Sequence, residues 1–259
     1  MNKQPLFTIM YSGGLSSHLA AHRIIEEAGA DQCVLLFADT KSEDEDLYRF
    51  IAEGAQTLGC KLVTVCDGRT IWEVMRDERF LGNSRIDPCS KILKRKQLDR
   101  WVRENAPDSA PVIGYTACEP TRWERYLEKN PKARAPLMEA PVVQEHEVAG
   151  EFADLFPDLR PPRLYALGAK HNNCGGGCIK AGQKHFDWLR QTLPDVYAQW
   201  EREEQSLRDL LGNVSILTDR RNGEKKPLSL RQFRERMECG ELPFGDGRAC
   251  ACMEESPHA

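Results

Sequence analysis

Up to about residue 120, the chain alternates between short apolar runs and amphipathic stretches. Four runs have the length and apolar character of β-strands: LFTIMY, CVLLFADT, KLVTVCD and PVIGYT. Between them lie stretches with helical periodicity: SSHLAAHRIIEEAG, EDEDLYRFIAEGAQTLG, TIWEVMRDERF and KILKRKQLDRWVREN. Such alternation is typical of a parallel sheet that is covered on both faces. The sequence therefore predicts an α/β fold with a parallel twisted sheet and helices on both faces.

The pattern changes after about residue 130. The segments KNPKARAP and FPDLRPPR are basic and rich in proline, and we expect mainly loops until a long helical stretch over 182–211, which is interrupted at Pro194. A strand, a turn at Asn222-Gly223 and the helix RQFRERM follow. We therefore predict an α/β core of residues 1–130 and a C-terminal elaboration of residues 131–259 that carries cysteine-rich segments.

The composition limits the classes of protein to which the chain can belong. Charged residues make up 29% of the 259 residues and hydrophobic residues 41%, and the net charge of −4 gives no overall attraction to nucleic acid. A contact with a polyanion must come from a local basic patch, such as residues 129–134 or 160–163. No segment has the features of an export signal or the length of a membrane span. These features predict a soluble, cytoplasmic protein with no membrane partner.

A serine-glycine turn follows the first predicted strand. Ser12, Gly13 and Gly14 end that strand, and Ser16 and Ser17 lie at the start of the next helix. The N-terminus of a helix at the carboxyl end of a parallel strand offers N–H groups to anions, and glycine permits close approach of the backbone. The lysine of Walker A and the third glycine of GxGxxG are both missing. The turn is predicted to bind phosphate; the alternative is that its serines only cap a helix.

Several segments together resemble a known family. SGGLSS resembles the pyrophosphate-binding loop, SGGxDS, of the PP-loop ATP pyrophosphatases (adenine nucleotide α-hydrolase-like), particularly their phosphoadenosine phosphosulfate (PAPS) reductase-like branch. FADTKSE, IDPCSKILKRKQLDRW and IGYTACEPTRWERY follow in the order of that family and, with the loop, cover most of residues 6–130. The chain is also similar to DNA phosphorothioation sulfurtransferases of the Dnd and Ssp types.

The resemblance implies that ATP binds with its β- and γ-phosphates in the turn, which leaves the α-phosphorus open to attack. Pyrophosphate then leaves and an adenylylated product forms. The implied nucleotide-binding residues are Tyr11, Ser12, Gly13, Gly14, Ser16, Ser17, Phe37, Asp39, Thr40 and Gly114. The implied catalytic residues are Cys89, Lys91 and Arg122; Lys94 and Arg95 are further candidates for stabilising phosphate charge. Ser16 stands where the family has aspartate, so a requirement for Mg²⁺ is left open.

Cysteines form a second group of candidate residues. Cys174 and Cys178 flank three glycines in HNNCGGGCIK, and Cys250 and Cys252 form a close pair in GRACACMEE. In a chain of this size without an export signal, close cysteines favour metal or redox chemistry over disulfides. Two pairs of thiolates suit either Zn²⁺ or an iron–sulfur cluster. Three other cysteines lie in or beside strand-like runs and are predicted to be in the core: Cys33, Cys60 and Cys66.

The family resemblance favours a [4Fe–4S] cluster. Cys89 lies where sulfonucleotide reductases have their first cluster cysteine, with Ser90 in place of its partner. The implied ligands are therefore Cys89, Cys174 and Cys178 with Cys250 or Cys252, and the spare thiol could carry sulfur. The alternative is a structural Zn²⁺ held by the four later cysteines, which would leave Cys89 as a persulfide carrier or nucleophile.

Three functions follow. In the first, ATP adenylylates an oxygen of DNA, tRNA or a small nucleotide, and sulfur from a cysteine desulfurase displaces AMP; a homodimer is compatible with this resemblance. The second is a sulfonucleotide reductase. Such reductases have a mobile Glu-Cys-Gly segment, which Glu238, Cys239 and Gly240 resemble. The third is a non-enzymatic nucleotide-binding protein with a structural zinc. The sequence favours the first, because it uses both the serine-glycine turn and the cysteines.

Overall fold

A computed structural model describes residues 4–81, 86–221 and 223–244. These residues form two compact units, each built from separate parts of the chain. The first unit takes its described residues from Met1–Asp39, Glu45–Asp67 and Lys94–Ala166. The second takes its described residues from Thr40–Asp44, Gly68–Leu93 and Leu167–Ala259. The division into 1–130 and 131–259 stays a prediction.

The first unit contains a parallel sheet. Its strands within the described residues are β1 (Phe7–Met10), β2 (Cys33–Asp39), β3 (Lys61–Cys66) and β4 (Ala110–Val112). They are arranged in the order β3-β2-β1-β4, and each neighbouring pair is parallel. All residues of β2 are buried, as expected for a central strand of a sheet covered on both faces. The predicted α/β fold class is confirmed.

Helices cover both faces of this sheet. The helices of the first unit are α1 (Leu15–Ala28), α2 (Glu45–Thr57), α4 (Lys96–Asn105), α5 (Pro120–Lys129), α6 (Val148–Leu155) and α7 (Arg163–Ala166). Because side chains alternate along a strand, β2 contributes Leu35 to a core with side chains of α1 and α2, whereas its neighbour Leu36 packs with Leu98 of α4. The two clusters therefore lie on opposite faces.

The second unit is mainly helical. It contains α3 (Ile71–Asp77), α8 (Gln183–Thr192), α9 (Pro194–Leu211), a hairpin of β5 (Leu217–Asp219) with β6 (Lys226–Leu228), and α10 (Leu230–Glu238). The predicted interruption at Pro194 is confirmed, because proline begins α9 where its missing N–H costs no helical hydrogen bond. The buried carboxylate of Glu204 accepts hydrogen bonds from the backbone N–H groups of Ile216 and Leu230 at 2.9 and 2.5 Å, which ties α9 to the hairpin and α10.

Some local expectations differ from the structure. The region between residues 130 and 182, for which the sequence predicts mainly loops, contains α6. The eight residues of α6 are too few for the helical periodicity to be recognised in the sequence. Cys33 and Cys60 are buried as predicted, whereas Cys66 is only half-buried because β3 is an edge strand. The helix predicted from Lys91 begins with a π-helical stretch over Ser90–Arg95. Of the predicted hairpin turn, residue 222 lies outside the described residues.

Within the part of the chain that the structure describes, no helix combines the length and the apolar character that a membrane span requires.

Candidate functional site

The serine-glycine turn lies between β1 and α1, where glycine is required at Gly13. Its φ of +75° is a left-handed conformation that side chains rarely adopt. A Cβ at this position would also lie 2.4 Å from Leu47 Cδ1 and 2.9 Å from Ile51 Cγ1. The turn therefore lies directly on α2.

The serine hydroxyls are bonded mainly within the turn. Ser17 Oγ donates to the carbonyl oxygen of Gly14 at 2.8 Å, and Ser12 Oγ donates to Ser17 Oγ at 3.3 Å. The N-cap of α1 is Gly14, and no side chain caps the helix there. Capping by serine therefore does not account for the turn, and binding of an anion by the first turn of α1 stays a prediction.

Gly114, predicted from the resemblance, lies against this turn. A Cβ on Gly114 would be 2.8 Å from Ser16 C, Ser17 Cα and Ser17 N, so the segment after β4 touches the backbone of the first turn of α1. β2 and β3 lie on one side of β1, and β4 lies on the other. This change of direction is the position at which parallel α/β sheets bind ligands, at the carboxyl ends of their strands.

Arg122 belongs to a polar cluster that follows Gly114. Its guanidinium donates to Glu119 and lies 4.7 Å from the centre of the Tyr115 ring. Glu119 also accepts from the backbone N–H of Thr116 at 3.1 Å. Within the described residues, Arg122 Nε and Thr116 Oγ1 are buried without a hydrogen-bond partner. A buried donor in this state favours a ligand oxygen as its partner. The role of Arg122 in binding phosphate stays a prediction.

Three other predicted nucleotide-binding residues of the first unit contact neighbouring side chains of the protein. Asp39, the last residue of β2, is buried and accepts a hydrogen bond from the Tyr48 hydroxyl at 2.7 Å. Phe37 and Tyr11 are buried in the hydrophobic core. Their direct contact with a nucleotide stays a prediction.

The sequence did not indicate His18, which lies just after the turn. Its Nδ1 is 2.9 Å from the Tyr11 hydroxyl, and its ring packs against Phe50, Phe152 and Phe156. Burial lowers the pKa of His18 to about 4, so the ring is neutral at physiological pH. The sequence shows only that a histidine lies on the buried face of α1. A histidine in such a position is more often a packing residue than a ligand.

A groove of about 800 Å³ opens beside the first residue of α1. Its walls include Leu15, Tyr165, Arg49 and Arg160. Asp46 accepts hydrogen bonds from Arg49 and Arg160, so part of the positive charge is neutralised. The volume falls within the range of about 300–1,000 Å³ that is usual for small-molecule sites.

The glycine-flanked cysteines lie in the second unit, in a sharp left-handed turn. Cys174, Gly175 and Gly176 have φ of 53°, 62° and 91°. A Cβ on Gly177 would lie 2.2 Å from Cε2 of Trp200. Each glycine is therefore required, two by their conformation and one by a close contact. Cys174 and Cys178 are both buried.

Two histidines stand beside this turn. His185 Nε2 lies 2.6 Å from the carbonyl oxygen of Gly176, so this nitrogen carries the proton and donates. Burial lowers the pKa of His185 and favours the neutral ring. The ring of His171 stacks on that of His185 at 6.0 Å. His185 therefore supports the turn, and His171 packs against His185.

Cys89 also belongs to the second unit, where it packs against the core cluster that contains Cys178. A buried ion pair joins the two segments: Lys180 Nζ lies 3.5 Å from Asp87 Oδ2, and the two side chains are 10% and 3% exposed. Each charged residue is two positions from one of these cysteines, so the pair holds both cysteine segments together.

The donor chemistry of Cys89, Cys174 and Cys178 fits an iron–sulfur cluster or zinc, because all three ligands would be sulfur. Within the described residues, however, no group of three histidine, cysteine, aspartate or glutamate side chains is arranged to hold a metal ion. Cys250 and Cys252, which would complete the set, lie outside the described residues. The ligand set therefore stays a prediction.

Two further predicted residues lie on the surface. Lys91 is exposed within the π-helical stretch, a type of distortion that is frequent at functional sites. Its catalytic role stays a prediction. Cys239 is exposed at the end of α10.

No protein-family model matches this sequence, and no curated protein matches it. Among solved structures, the chain is similar to the U34-tRNA thiolase NcsA from Methanococcus maripaludis with its [4Fe-4S] cluster. The two are 16% identical, the match covers 97% of this chain and 80% of that chain, and the TM-score is 0.45. No activity is inferred from this likeness. The fold and the two sets of residues define an α/β protein with a candidate anion site and a candidate thiolate site.

Proposed function

We propose that this protein is an ATP pyrophosphatase and sulfurtransferase of the PP-loop type, within the PAPS reductase-like branch, which activates an oxygen of a nucleic acid or nucleotide for replacement by sulfur. The observation that supports this most is the turn at the sheet's change of direction, where Gly114 touches the uncapped first turn of α1. The buried glycine-flanked cysteines, Cys174 and Cys178, are the second support.

In the first step, the acceptor oxygen attacks the α-phosphorus of ATP and the bond to the β-phosphate bridging oxygen breaks. The first-turn N–H groups of α1 hold the leaving pyrophosphate, and the hydroxyls of Ser12 and Ser17 rotate away from their partners within the turn to donate to it. Arg122 neutralises charge that builds up on the phosphates. The product is an acceptor whose oxygen carries AMP.

In the second step, sulfur at the oxidation level of sulfide attacks the activated atom, and AMP leaves with the former acceptor oxygen. A cysteine desulfurase supplies this sulfur as a persulfide. A pair of thiols reduces the outer sulfur of the persulfide to the level of sulfide by giving it two electrons, and the two thiols form a disulfide. The thiol of Cys250 or Cys252 that the cluster does not use is our candidate for the thiol that carries sulfur.

The cysteine set has a defined role in this proposal. Cys89, Cys174 and Cys178, with Cys250 or Cys252, would hold a [4Fe–4S] cluster, which when bound supplies iron that binds sulfide. The burial of Cys174 and Cys178 keeps water and oxidants away from two of these thiolates.

Anaerobic purification with metal analysis separates the cluster from zinc. We expect a brown, broadly absorbing protein that contains iron and acid-labile sulfide, and we expect Cys174→Ala to lose both. A colourless protein with stoichiometric zinc would contradict the cluster. Full retention of iron in Cys174→Ala would show that the glycine-flanked pair supplies no ligand.

The transfer itself is tested by incubating the protein with ATP, a cysteine desulfurase with cysteine, and either DNA, tRNA or a mononucleotide. Mass spectrometry of the digested product then distinguishes a phosphorothioate linkage from a thiolated base. Sulfur in one acceptor only, dependent on ATP, supports the proposal and identifies the substrate. Absence of sulfur from all three acceptors would contradict it.

A sulfonucleotide reductase is the second candidate, because Cys239 is exposed and available to an external disulfide reductant. That enzyme would attack a sulfate already activated on adenosine and would release no pyrophosphate from ATP. Loss of sulfite formation in Cys239→Ser, without any cleavage of ATP, would favour it.

A further inference from the structure

One carboxylate of the second unit joins the residue that follows β2 to the cysteine turn. The Thr40 hydroxyl donates to Glu43 Oε1 at 3.0 Å. The backbone N–H of Cys174 donates to Glu43 Oε2 at 2.6 Å. The two oxygens of Glu43 therefore bind a predicted nucleotide residue and a predicted cluster ligand at the same time.

The contact with Cys174 falls where the backbone needs support. Cys174 has φ 53° and ψ 39°, a left-handed conformation that is costly for any residue with a Cβ. The residue is buried, so its N–H requires an acceptor from the protein. A carboxylate oxygen at 2.6 Å meets this need with a charge-assisted hydrogen bond, which is stronger than a bond between neutral groups.

The segment around Glu43 is itself fixed. Ser42 Oγ donates to the carbonyl oxygen of Thr40 at 3.2 Å and accepts from the backbone N–H of Ile71 at 3.2 Å. The carbonyl oxygen of Ser42 would lie 3.3 Å from a Cβ placed on Gly175. The chain from Thr40 to Glu43 therefore lies directly against the turn that carries Cys174.

We propose that Glu43 is a positioning residue. First, it holds the Cys174 thiol in place. Second, it makes the position of this thiol depend on what binds the hydroxyl of Thr40. A threonine hydroxyl has one proton to donate, and here Glu43 receives it. A nucleotide oxygen or nitrogen that accepts this proton competes with Glu43 and loosens its hold on Cys174. The second half of this inference rests on the proposed binding of ATP; the first half does not.

The hydrogen bond is measured directly by hydrogen exchange at the Cys174 amide, with residue-level mass spectrometry on the full anaerobic protein. We expect Glu43→Ala to speed this exchange about tenfold, since the lost bond is charge-assisted. Glu43→Gln is expected to stay close to the wild type, because the amide oxygen can accept from Cys174 and the amide nitrogen can donate to Thr40. Unchanged exchange in Glu43→Ala, or a Gln variant as fast as the Ala variant, would overturn the proposal.

Two controls separate this effect from loss of the fold. The amide of Ile216 is bonded to another carboxylate of the same unit, Glu204, and is expected to keep its exchange rate in every variant. Glu235→Ala removes an exposed carboxylate of α10 and is expected to leave Cys174 unchanged. Equal acceleration at Ile216 and Cys174 in Glu43→Ala would overturn the proposal, because it would reflect general opening.

The dependence on Thr40 is tested with saturating ATP. ATP is expected to speed exchange at Cys174 in the wild type and to have no effect in Thr40→Val. An equal response in both would overturn the coupling. If calorimetry shows that ATP does not bind at all, the proposed function fails, while the difference between Glu43→Ala and Glu43→Gln still tests the positioning role.

Discussion

Gly114→Ala tests whether the contact between the β4 segment and α1 shapes the anion site. The new Cβ would lie 2.8 Å from three backbone atoms of Ser16 and Ser17, whereas ordinary contacts begin at 3.4 Å. Backbone atoms cannot rotate away as a flexible side chain can, so the first turn of α1 must move by about 0.6 Å. Overpacking of this kind costs about 1–3 kcal/mol of folding stability.

The same shift displaces the N–H groups that we expect to bind pyrophosphate. Because a misplacement of about 1 Å can cost about a hundredfold in a precisely aligned site, we expect ATP to bind about tenfold more weakly. Urea unfolding gives the stability change, and isothermal titration calorimetry with ATP gives the affinity.

Gly150→Ala is the matched control. Gly150 lies within α6, and a Cβ there meets nothing within 4 Å. Alanine is the better helix former, so this variant should be about 0.5–1 kcal/mol more stable than the wild type and bind ATP normally. If Gly114→Ala bound ATP as tightly as Gly150→Ala does, the assignment of the turn as the nucleotide site would be refuted.

Three further predictions concern the fold around the two candidate sites. Gly177→Ala forces a Cβ into the indole of Trp200, so its urea midpoint should fall, by about 3 kcal/mol in free energy of unfolding; a wild-type midpoint would contradict the packing. Lys180→Met removes the ammonium group from the buried ion pair with Asp87, and we expect a loss of about 3 kcal/mol together with a lower metal content; normal values of both would contradict the link between the cysteine segments. The folded-state pKa of His18 lies at about 4, below its unfolded value, so its stabilising contribution is present above about pH 6.5 and is lost as the pH falls toward 4. The loss of unfolding free energy between these pH values is about 3 kcal/mol. His18→Asn should therefore lose less stability over the same pH range, as measured by urea unfolding at each pH. The same pH dependence in the variant and the wild type would contradict this role of His18.

The alternation of strands and helices was predictable because each element carries its own signal. β2 is a seven-residue apolar run buried throughout, and α2 has apolar residues on one face only. The π-helical start at Ser90 was not predictable, since the π and α forms have nearly the same apolar periodicity. α6 was not predictable either, because its two helical turns contain too few repeats of the apolar pattern.

The candidate sites were predictable only in part. Gly13 could be inferred, because a glycine between a strand and a helix indicates a tight turn, whereas the role of Gly114 came from the resemblance alone. Glu43 gave no signal, because its partner Cys174 is 131 residues away and no local pattern encodes such a contact. His18 was similarly hidden, because its partners include Phe152 and Phe156 from a distant helix and loop.

The most direct test of the central claim is the identity of the bond in ATP that the protein breaks. ATP labelled with ³²P at either the α- or the γ-phosphate, incubated with protein and each nucleic-acid acceptor, is separated by thin-layer chromatography. We predict AMP, or AMP joined to the acceptor, from the first label and pyrophosphate from the second, in equal amounts. ADP with inorganic phosphate, or intact ATP with every acceptor, would contradict the account.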